Sequence, residues 1–324
     1  MRSLSGITSS GECHLGNYFG AIAQHIELQD QGEGIYFIAD FHSMTSVRDG
    51  ALRRQLVNDV ALDYLACGLD PERAILYRQS DLPEVCELSW ILGSVTPMGL
   101  LERGHAYKDK VAQGLSADHG LFAYPVLMAA DILMYNPDIV PVGSDQKQHI
   151  EMARDIAQRF NHVYGVEVFQ LPEPRILESV AIVPGVDGRK MSKSYDNTIR
   201  MFWPEKKLKK AVMAVVTDST PVEEPKDVKT PVFELWSLFA SESEREELFA
   251  RAQAGGLGYG DVKKDLLARL LDHFGPMRER RAELEKRPDE VEAILSDGAR
   301  RAREASAPVL EACRAAAGLG VSPS

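Results

Sequence analysis

An alternation of short apolar runs with longer amphipathic stretches constrains the fold of this chain most strongly. Residues 35–39 (IYFIA) are all apolar and are followed by Asp40. Apolar runs of this length are typical of parallel strands that are covered on both faces. A helix is predicted at about residues 51–67, and another strand at residues 74–78. This strand–helix–strand order predicts an α/β protein with a doubly wound parallel sheet.

Three more strands are predicted, at residues 4–8, 138–142 and 180–183. Residues from about 83 to 136 are mostly helical in their apolar spacing and interrupt the alternation. We therefore predict a Rossmann-like nucleotide-binding domain over residues 1–187, with a helical insertion at about 83–136.

The first predicted strand ends in small polar residues, TSSG at residues 8–11, shortly before a helix that is predicted from Leu15. Ligands of doubly wound sheets bind beyond the carboxyl ends of the strands. Backbone N–H groups and the dipole at the start of a helix also favour phosphate there. The pattern is neither a Walker A loop nor GxGxxG, so its glycines alone are weak evidence for a nucleotide. Considered singly, His14 is better explained as a capping or packing residue.

A second polar segment, residues 188–194, reads GRKMSKS. It places two lysines and two serines around one methionine, and no apolar periodicity runs through it. Such a segment predicts a mobile loop that carries positive charge and hydroxyl groups to an anion. For an isolated cluster of this kind, a solvated basic turn is the simpler interpretation.

One acidic residue is predicted to lie on an apolar helix face. Tyr124, Leu127, Met128 and Asp131 follow the spacing i, i+3, i+4 and i+7. A carboxylate in apolar surroundings needs a partner, because burying it alone is costly. The simpler interpretation is a hydrogen bond to a backbone amide, and the alternative is a pocket that accepts an N–H group from an apolar ligand.

Composition limits the compartment and the partners. The four cysteines are widely spaced and form no CxxC pair, which favours free thiols in a reducing compartment. The polar start of the chain does not resemble a signal peptide, and no run reaches the ~18 apolar residues of a membrane span, so we predict a cytoplasmic protein. The net charge of −11 would repel a nucleic acid unless basic residues are concentrated locally.

Beyond Ser194 the sequence is rich in Lys, Arg and Glu and predicts helices only. We predict a C-terminal all-helical domain over residues 197–324. Charge-rich helices are usually only solvated, but this is where a polyanion could be held. The candidate basic residues are Lys206, Lys207, Lys209, Lys210, Arg278, Arg280, Arg281, Arg300, Arg301 and Arg303.

Two motifs together resemble a known family. HLGN at residues 14–17 follows the first strand, and KMSKS at residues 190–194 follows the last strand of the same predicted sheet. They resemble the HIGH and KMSKS motifs of class I aminoacyl-tRNA synthetases. The segments SGITSSGECHLGNYFGA, YPVLMAADILMYN, VPVGSDQKQHIEMARDIAQRF and GRKMSKSYDNT are similar to bacterial tryptophanyl-tRNA synthetases, and the resemblance covers nearly the whole chain.

The resemblance implies an ATP-dependent ligase that activates L-tryptophan, with Mg²⁺, and transfers it to the 3'-terminal ribose of tRNA(Trp). The tryptophan carboxylate is already ionised at neutral pH, so activation needs positioning and stabilisation of phosphate charge rather than a general base. The resemblance also implies a C2 homodimer, a KMSKS loop at residues 188–196 and anticodon binding by residues 197–324.

The resemblance assigns roles to three groups of residues and no resident metal site. The catalytic residues would be Lys190, Lys193, His14 and Asn17. ATP would be bound by Thr8, Ser9, Ser10, Gly16, Asn17, Gly143, Ser144, Asp145, Ala181, Ile182, Lys190, Met191, Ser192, Lys193 and Ser194. Tryptophan would be bound by Asp131, Tyr124, Met128, Gln146, His42, Ser5 and Gly6.

Two positions depart from the family pattern. Thr8 and Ala106 stand where many relatives have Gln. Neither change removes a charge that the chemistry needs. Two alternatives remain open: a paralogue that acts mainly as a binding or regulatory protein, and a tyrosine-specific relative.

Overall fold

A single parallel sheet lies at the centre of the protein, as a computed structural model shows it. The structure describes residues 1–112, 114, 118–142, 147–176 and 183–320. Five strands lie in the order β3–β2–β1–β4–β5. Their bounds are Arg2–Ile7 (β1), Glu33–Ile38 (β2), Ala74–Arg78 (β3), Ile139–Val142 (β4) and Glu173–Ile176 (β5). All four pairings are parallel, and the order reverses beside β1, which confirms the predicted doubly wound fold.

Strand β5 is absent from the sequence-based prediction. Its residues, EPRI, form no apolar run and include Pro174, which lacks a backbone donor. Among the described residues, β5 pairs only with β4 and so lies at an edge of the sheet, where a proline is tolerated. The strand predicted at residues 180–183 lies outside the described residues except for Val183, whose carbonyl accepts a hydrogen bond from the Met191 N–H group.

Helices cover the sheet and form the predicted insertion. Those up to the end of the sheet domain are Leu15–Asn17 (α1), Ala23–Leu28 (α2), Asp40–Ser43 (α3), Gly50–Cys67 (α4), Glu84–Gly93 (α5), Met98–Leu101 (α6), His105–Ala112 (α7), His119–Leu133 (α8) and Lys147–Tyr164 (α9). The helix predicted from Leu15 forms, but Tyr18–Ile22 is a π-helical turn between α1 and α2. Helices α5 to α8 make up the insertion between β3 and β4.

The rest of the described chain is helical, as predicted. Its helices are Glu205–Met213 (α10), Pro231–Ser237 (α11), Glu242–Ala254 (α12), Tyr259–Glu285 (α13) and Pro288–Ala316 (α14). Leu270 and Phe274 of α13 belong to the same buried cluster as Val60 and Ala61 of α4. The C-terminal helices therefore share a hydrophobic core with the sheet domain.

Helix α14 covers the free edge of β3. A Cβ atom on Gly298 would lie 1.9 Å from the carbonyl oxygen of Leu76, so only glycine allows this approach. Arg301 Nη1 donates a hydrogen bond of 2.6 Å to the carbonyl oxygen of Pro71, beside the same strand. An edge strand that would otherwise expose unpaired backbone groups is thus covered by a helix.

Two further predictions can be compared with the coordinates. All four cysteines are free, as their spacing predicts. Within the described ranges, no helix is both long and apolar enough to cross a membrane.

Candidate active site

The first half of the site is the start of α1. The side-chain Oδ1 of Asn17 accepts a hydrogen bond of 3.1 Å from the His14 N–H group, which caps this helix start. A Cβ atom on Gly16 would lie only 3.0 Å from the His14 ring, so glycine allows the ring to fold back over the turn. Burial, together with the nearby charges of Lys193 and Arg200, lowers the pKa of His14 to about 4. At neutral pH the imidazole is therefore uncharged.

Two buried polar atoms at this position have no hydrogen-bond partner in the described part of the protein. Ser9 has no exposed surface, and its Oγ has no hydrogen-bond partner among the described residues. The same holds for His14 Nδ1 within the described part of the chain, although His14 is only 6% exposed. The turn itself is closed by a hydrogen bond of 2.9 Å from the Ser10 N–H group to the Thr8 carbonyl. Buried groups without partners are uncommon, and these two indicate a place for ligand atoms.

The KMSKS segment lies against this turn. Lys193 Nζ donates a hydrogen bond of 2.7 Å to the carbonyl oxygen of Gly11. Burial lowers the pKa of Lys193. The Leu15 N–H group donates to the carbonyl oxygen of Ile199 at 2.9 Å, which joins the helix start to the chain just after the motif. The structure therefore brings the two motifs together.

One expectation for the loop is wrong. The sequence suggests no packing residue in it, but Met191 is 4% exposed and belongs to the main hydrophobic cluster. Lys190 and Ser194 are exposed, and Ser192 Oγ lies 2.8 Å from Ser194 Oγ. The motif is thus a polar segment that is anchored to the core at its centre.

Asn197 holds the loop in this conformation and is missing from the predicted site residues. Its Oδ1 accepts a hydrogen bond of 2.8 Å from the Ser192 N–H group. Its Nδ2 donates to Asp187 at 2.7 Å and to the Lys190 carbonyl at 3.1 Å. Asn197 is 1% exposed. No local sequence pattern marks this role, because the side chain organises backbone groups several residues upstream.

The predicted amino-acid pocket is centred on Asp131, which has no exposed surface. His42 Nε2 donates a hydrogen bond of 2.8 Å to Asp131 Oδ2. Gln79 Nε2 lies 2.8 Å and 2.9 Å from the two carboxylate oxygens of Asp131. Burial raises the pKa of Asp131, and the hydrogen bonds from His42 and Gln79 act in the opposite direction. The backbone-amide interpretation of Asp131 is therefore wrong, because both partners are side chains.

Aromatic groups border this carboxylate. The ring centroids of His42 and Tyr124 lie 6.3 Å apart in an edge-to-face arrangement. The Tyr124 hydroxyl lies 2.6 Å from His149 Nε2, and His149 is a second residue that the sequence prediction missed. Met128 is half-buried on the same helix, α8. Tyr124, Met128 and Asp131 thus lie on one helix, and its role as the wall of an amino-acid pocket stays a prediction.

Strand β1 contributes two of the predicted residues. A Cβ atom on Gly6 would lie 2.5 Å from the ring of Phe37, so this glycine gives room to a buried aromatic side chain. Ser5 Oγ donates a weak hydrogen bond of 3.4 Å to the Pro141 carbonyl, across the β1–β4 pair. Both therefore have a structural role, and their contact with tryptophan stays a prediction.

Comparison with known proteins identifies the family. The model of the family described as tRNA synthetases class I (W and Y) matches residues 1–275. The chain belongs to this family. It is 55% identical to a tryptophan–tRNA ligase of Fusobacterium nucleatum over 302 residues, which cover 93% of each chain. It is 54% identical to that of Rhodopirellula baltica over 320 residues, 98% of this chain and 100% of the relative.

A solved structure agrees with this result. Tryptophanyl-tRNA synthetase from Campylobacter jejuni, crystallised with ADP and tryptophan, superposes with a TM-score of 0.90 at 49% identity. The superposition covers 98% of this chain and all of that chain. The resemblance to the bacterial tryptophan enzymes and the predicted fold are both confirmed.

Six predicted residues lie outside the described part of the chain. They are Gly143, Ser144, Asp145, Gln146, Ala181 and Ile182. Their assignment to ATP or tryptophan stays a prediction.

Three of the C-terminal arginines bind other parts of the protein, and binding of a polyanion by this region stays a prediction. Arg281 forms ion pairs of 2.9 Å and 2.8 Å with Asp59 and Asp63 of α4. Arg303 pairs with Glu84 at 2.7 Å, and Arg278 donates to backbone carbonyl groups before α10. These side chains attach the C-terminal helices to the rest of the protein. Their partners are distant in sequence, so composition alone does not predict these contacts.

Proposed function

We propose that the chain is a tryptophan–tRNA ligase. It would join L-tryptophan to the α-phosphate of ATP, release pyrophosphate and transfer the tryptophanyl group to the 3'-terminal ribose of tRNA(Trp). One observation carries the proposal: the fully buried carboxylate of Asp131 binds His42, which packs against Tyr124, at the carboxyl edge of the sheet on which the two signature motifs meet. Such a carboxylate can accept the indole N–H group.

In activation, a tryptophan carboxylate oxygen forms a bond to the α-phosphorus, and the bond from that phosphorus to the bridging oxygen of pyrophosphate breaks. No proton has to move. We propose that the uncharged His14 and the Ser9 hydroxyl bind phosphate oxygens, since both are buried without protein partners in the described chain. Lys193 would release the Gly11 carbonyl and bind the departing pyrophosphate instead, and Lys190 would bind the same group. Mg²⁺ would enter as part of the substrate, bound by the phosphates of ATP.

The tRNA is proposed to bind the C-terminal helices, with residues 188–196 as the catalytic loop and residues 197–324 as the anticodon-binding region. Lys206, Lys209 and Lys210 of α10 are exposed. Within the described ranges, no ion pair is found for any of the three. They supply a local positive surface on a chain with a net charge of −11.

A homodimer is also part of the proposal. The insertion exposes large apolar side chains: Trp90 is 81% exposed, Met98 63% and Val111 50%. Large exposed apolar side chains favour an interaction surface. A second copy related by a two-fold axis would cover them on both subunits. The free cysteines are compatible with the proposed cytoplasmic location.

The test is tryptophan-dependent exchange of pyrophosphate into ATP, followed by charging of total tRNA. We expect exchange with tryptophan and at most trace exchange with tyrosine. Well-folded protein without exchange at saturating substrates would contradict the proposal. Faster exchange with tyrosine would show a tyrosine-specific relative, and normal exchange without charging of tRNA would indicate a regulatory paralogue.

A further inference from the structure

Gln79 is a buried residue of the pocket to which no role is assigned above. It follows β3 directly and lies in a short 3-10 turn, Gln79–Asp81, with 1% of its surface exposed. Its Nε2 lies within hydrogen-bond distance of both oxygens of Asp131. A side chain that contacts both oxygens limits rotation of the carboxylate.

The amide orientation of Gln79 follows from a second contact. Its Oε1 accepts a hydrogen bond of 3.1 Å from the backbone N–H group of Phe41, at the start of α3. If the amide were flipped, an NH₂ group would face this backbone donor, and a carbonyl oxygen would face the Asp131 carboxylate. Both contacts would then be repulsive. Nε2 therefore faces Asp131.

The acceptor sites of Asp131 can be counted. An ionised carboxylate offers about four lone-pair sites, two on each oxygen. Gln79 uses one site on each oxygen, and His42 uses the second site on Oδ2. Among the described residues, no donor fills the last site, on Oδ1. His42 and Gln79 thus leave a single unfilled acceptor site in a defined direction.

We propose that Gln79 is a positioning residue that sets amino-acid specificity by holding Asp131 so that only Oδ1 is open to the ligand N–H group. The inference rests on the proposed function, since it takes the indole N–H group as that donor. A fixed acceptor with one open site selects a ligand that brings one donor to that point. Without Gln79, the carboxylate is free to turn, and water or a hydroxyl group can occupy the released sites.

Gln79 also affects the protonation of Asp131. The titratable groups around this carboxyl are His42 and Asp40 at α3, Tyr77 on β3, Cys86 on α5 and Tyr135 after α8. Burial raises the pKa of Asp131, and the hydrogen bond from Gln79 opposes that rise. Removing the amide lets the pKa of Asp131 rise further. As the pH falls, the variant therefore loses the ionised carboxylate at a higher pH than the wild type does.

The test uses Gln79→Met, which keeps the length of the side chain and removes its hydrogen bonds to Asp131 and to the Phe41 N–H group. Its matched control is Gln29→Met. Gln29 is 9% exposed, donates to the Gly68 carbonyl at 3.2 Å and accepts from the Asp70 N–H group at 2.9 Å, outside the pocket. Steady-state pyrophosphate exchange from pH 5 to 8 gives KM for tryptophan and for ATP, and calorimetry gives the Kd of tryptophan without ATP.

We expect Gln79→Met to raise the KM and Kd for tryptophan about 10- to 100-fold, with an unchanged KM for ATP. The pH below which the tryptophan KM rises should move upward. Discrimination against 1-methyltryptophan, which lacks the indole N–H group, should weaken. If Gln79→Met does not fold, Gln79→Asn retains a shorter amide and should give the same changes in a milder form.

The role of Gln79 would be overturned if Gln79→Met and Gln29→Met had the same KM for tryptophan, the same Kd and the same pH profile. A wild-type protein without exchange that binds tryptophan would contradict the proposed function alone, and the Kd values would still decide the role of Gln79. A wild-type protein that does not bind tryptophan would overturn both.

Discussion

The two ends of the site differ in how their buried polar groups are satisfied. At the amino-acid end, Asp131 is bound by His42 and Gln79. At the phosphate end, Ser9 Oγ and His14 Nδ1 are buried and have no partner in the described chain. Asp131 is therefore held by protein donors before a ligand arrives, whereas we propose that the groups at the phosphate end obtain their partners from the ligand.

The chemistry of the groups accounts for this difference. An ionised carboxylate without partners is very costly to bury, so Asp131 needs internal donors in every state of the enzyme. A neutral hydroxyl or imidazole without a partner costs only about 1–3 kcal/mol. We propose that the protein tolerates that cost because these groups are then available to bind a phosphate.

The largest effect is expected when the carboxylate itself is changed. Asp131→Asn places an NH₂ group among the donors His42 and Gln79 and weakens the acceptor. We expect kcat/KM for tryptophan to fall about 10⁴-fold in pyrophosphate exchange. Asp118→Asn is the control, because Asp118 is 62% exposed at the start of the same helix. Retention of more than a tenth of the activity would show that the amino-acid end does not depend on this charge.

The next effect concerns the cation at the phosphate end. Lys193→Met removes the ammonium group that now binds the Gly11 carbonyl. We expect kcat for exchange to fall about 10²- to 10³-fold, while the Kd of tryptophan stays unchanged. Lys264→Met, at an exposed lysine of α13, controls for the loss of one charge. A loss of tryptophan affinity would mean that the two ends are not independent.

A smaller effect is expected at the proposed tRNA surface, where a cation without an ion pair can be compared with a paired one. Lys209→Glu should weaken tRNA binding about tenfold and reduce the slope of log K against log salt by about one unit. Arg300→Glu makes the same charge change at a side chain that pairs with Asp297 and Glu304. Filter binding of tRNA over a range of salt concentrations measures the affinity and the salt slope of both variants. Equal losses would place the tRNA elsewhere.

The smallest effect tests the phosphate end without any ligand. Ser9→Ala should change the free energy of unfolding by less than about 0.5 kcal/mol, because its hydroxyl makes no internal hydrogen bond among the described residues. Ser43→Ala should cost about 1 kcal/mol, because that equally buried hydroxyl donates to the Asp40 carbonyl at 2.7 Å. Urea unfolding without nucleotide measures both. A cost at Ser9 as large as that at Ser43 would reveal a partner within the protein.

Local patterns in the sequence predict much of the fold. The strands β1 to β4 and the long helix α4 have short-range signatures, whereas the short strand β5, EPRI, has none. The two motifs and Asp131 are predicted as site residues, and the structure places each motif beside the other. The partners that complete the site are not predictable in this way. Gln79 meets Asp131 across 52 positions, and Arg281 meets Asp63 across 218.

Because α14 covers the edge of β3, that edge stays exposed during translation until α14 has been synthesised. Arg301 of α14 binds the Pro71 carbonyl from a position 230 residues later in the chain. A ribosome therefore completes the sheet long before it releases α14, which shields the edge of that sheet. In that interval, the nascent sheet exposes a strand able to pair with another copy. We expect chains that stop before α14 to aggregate during synthesis even though every residue of the candidate active site is present.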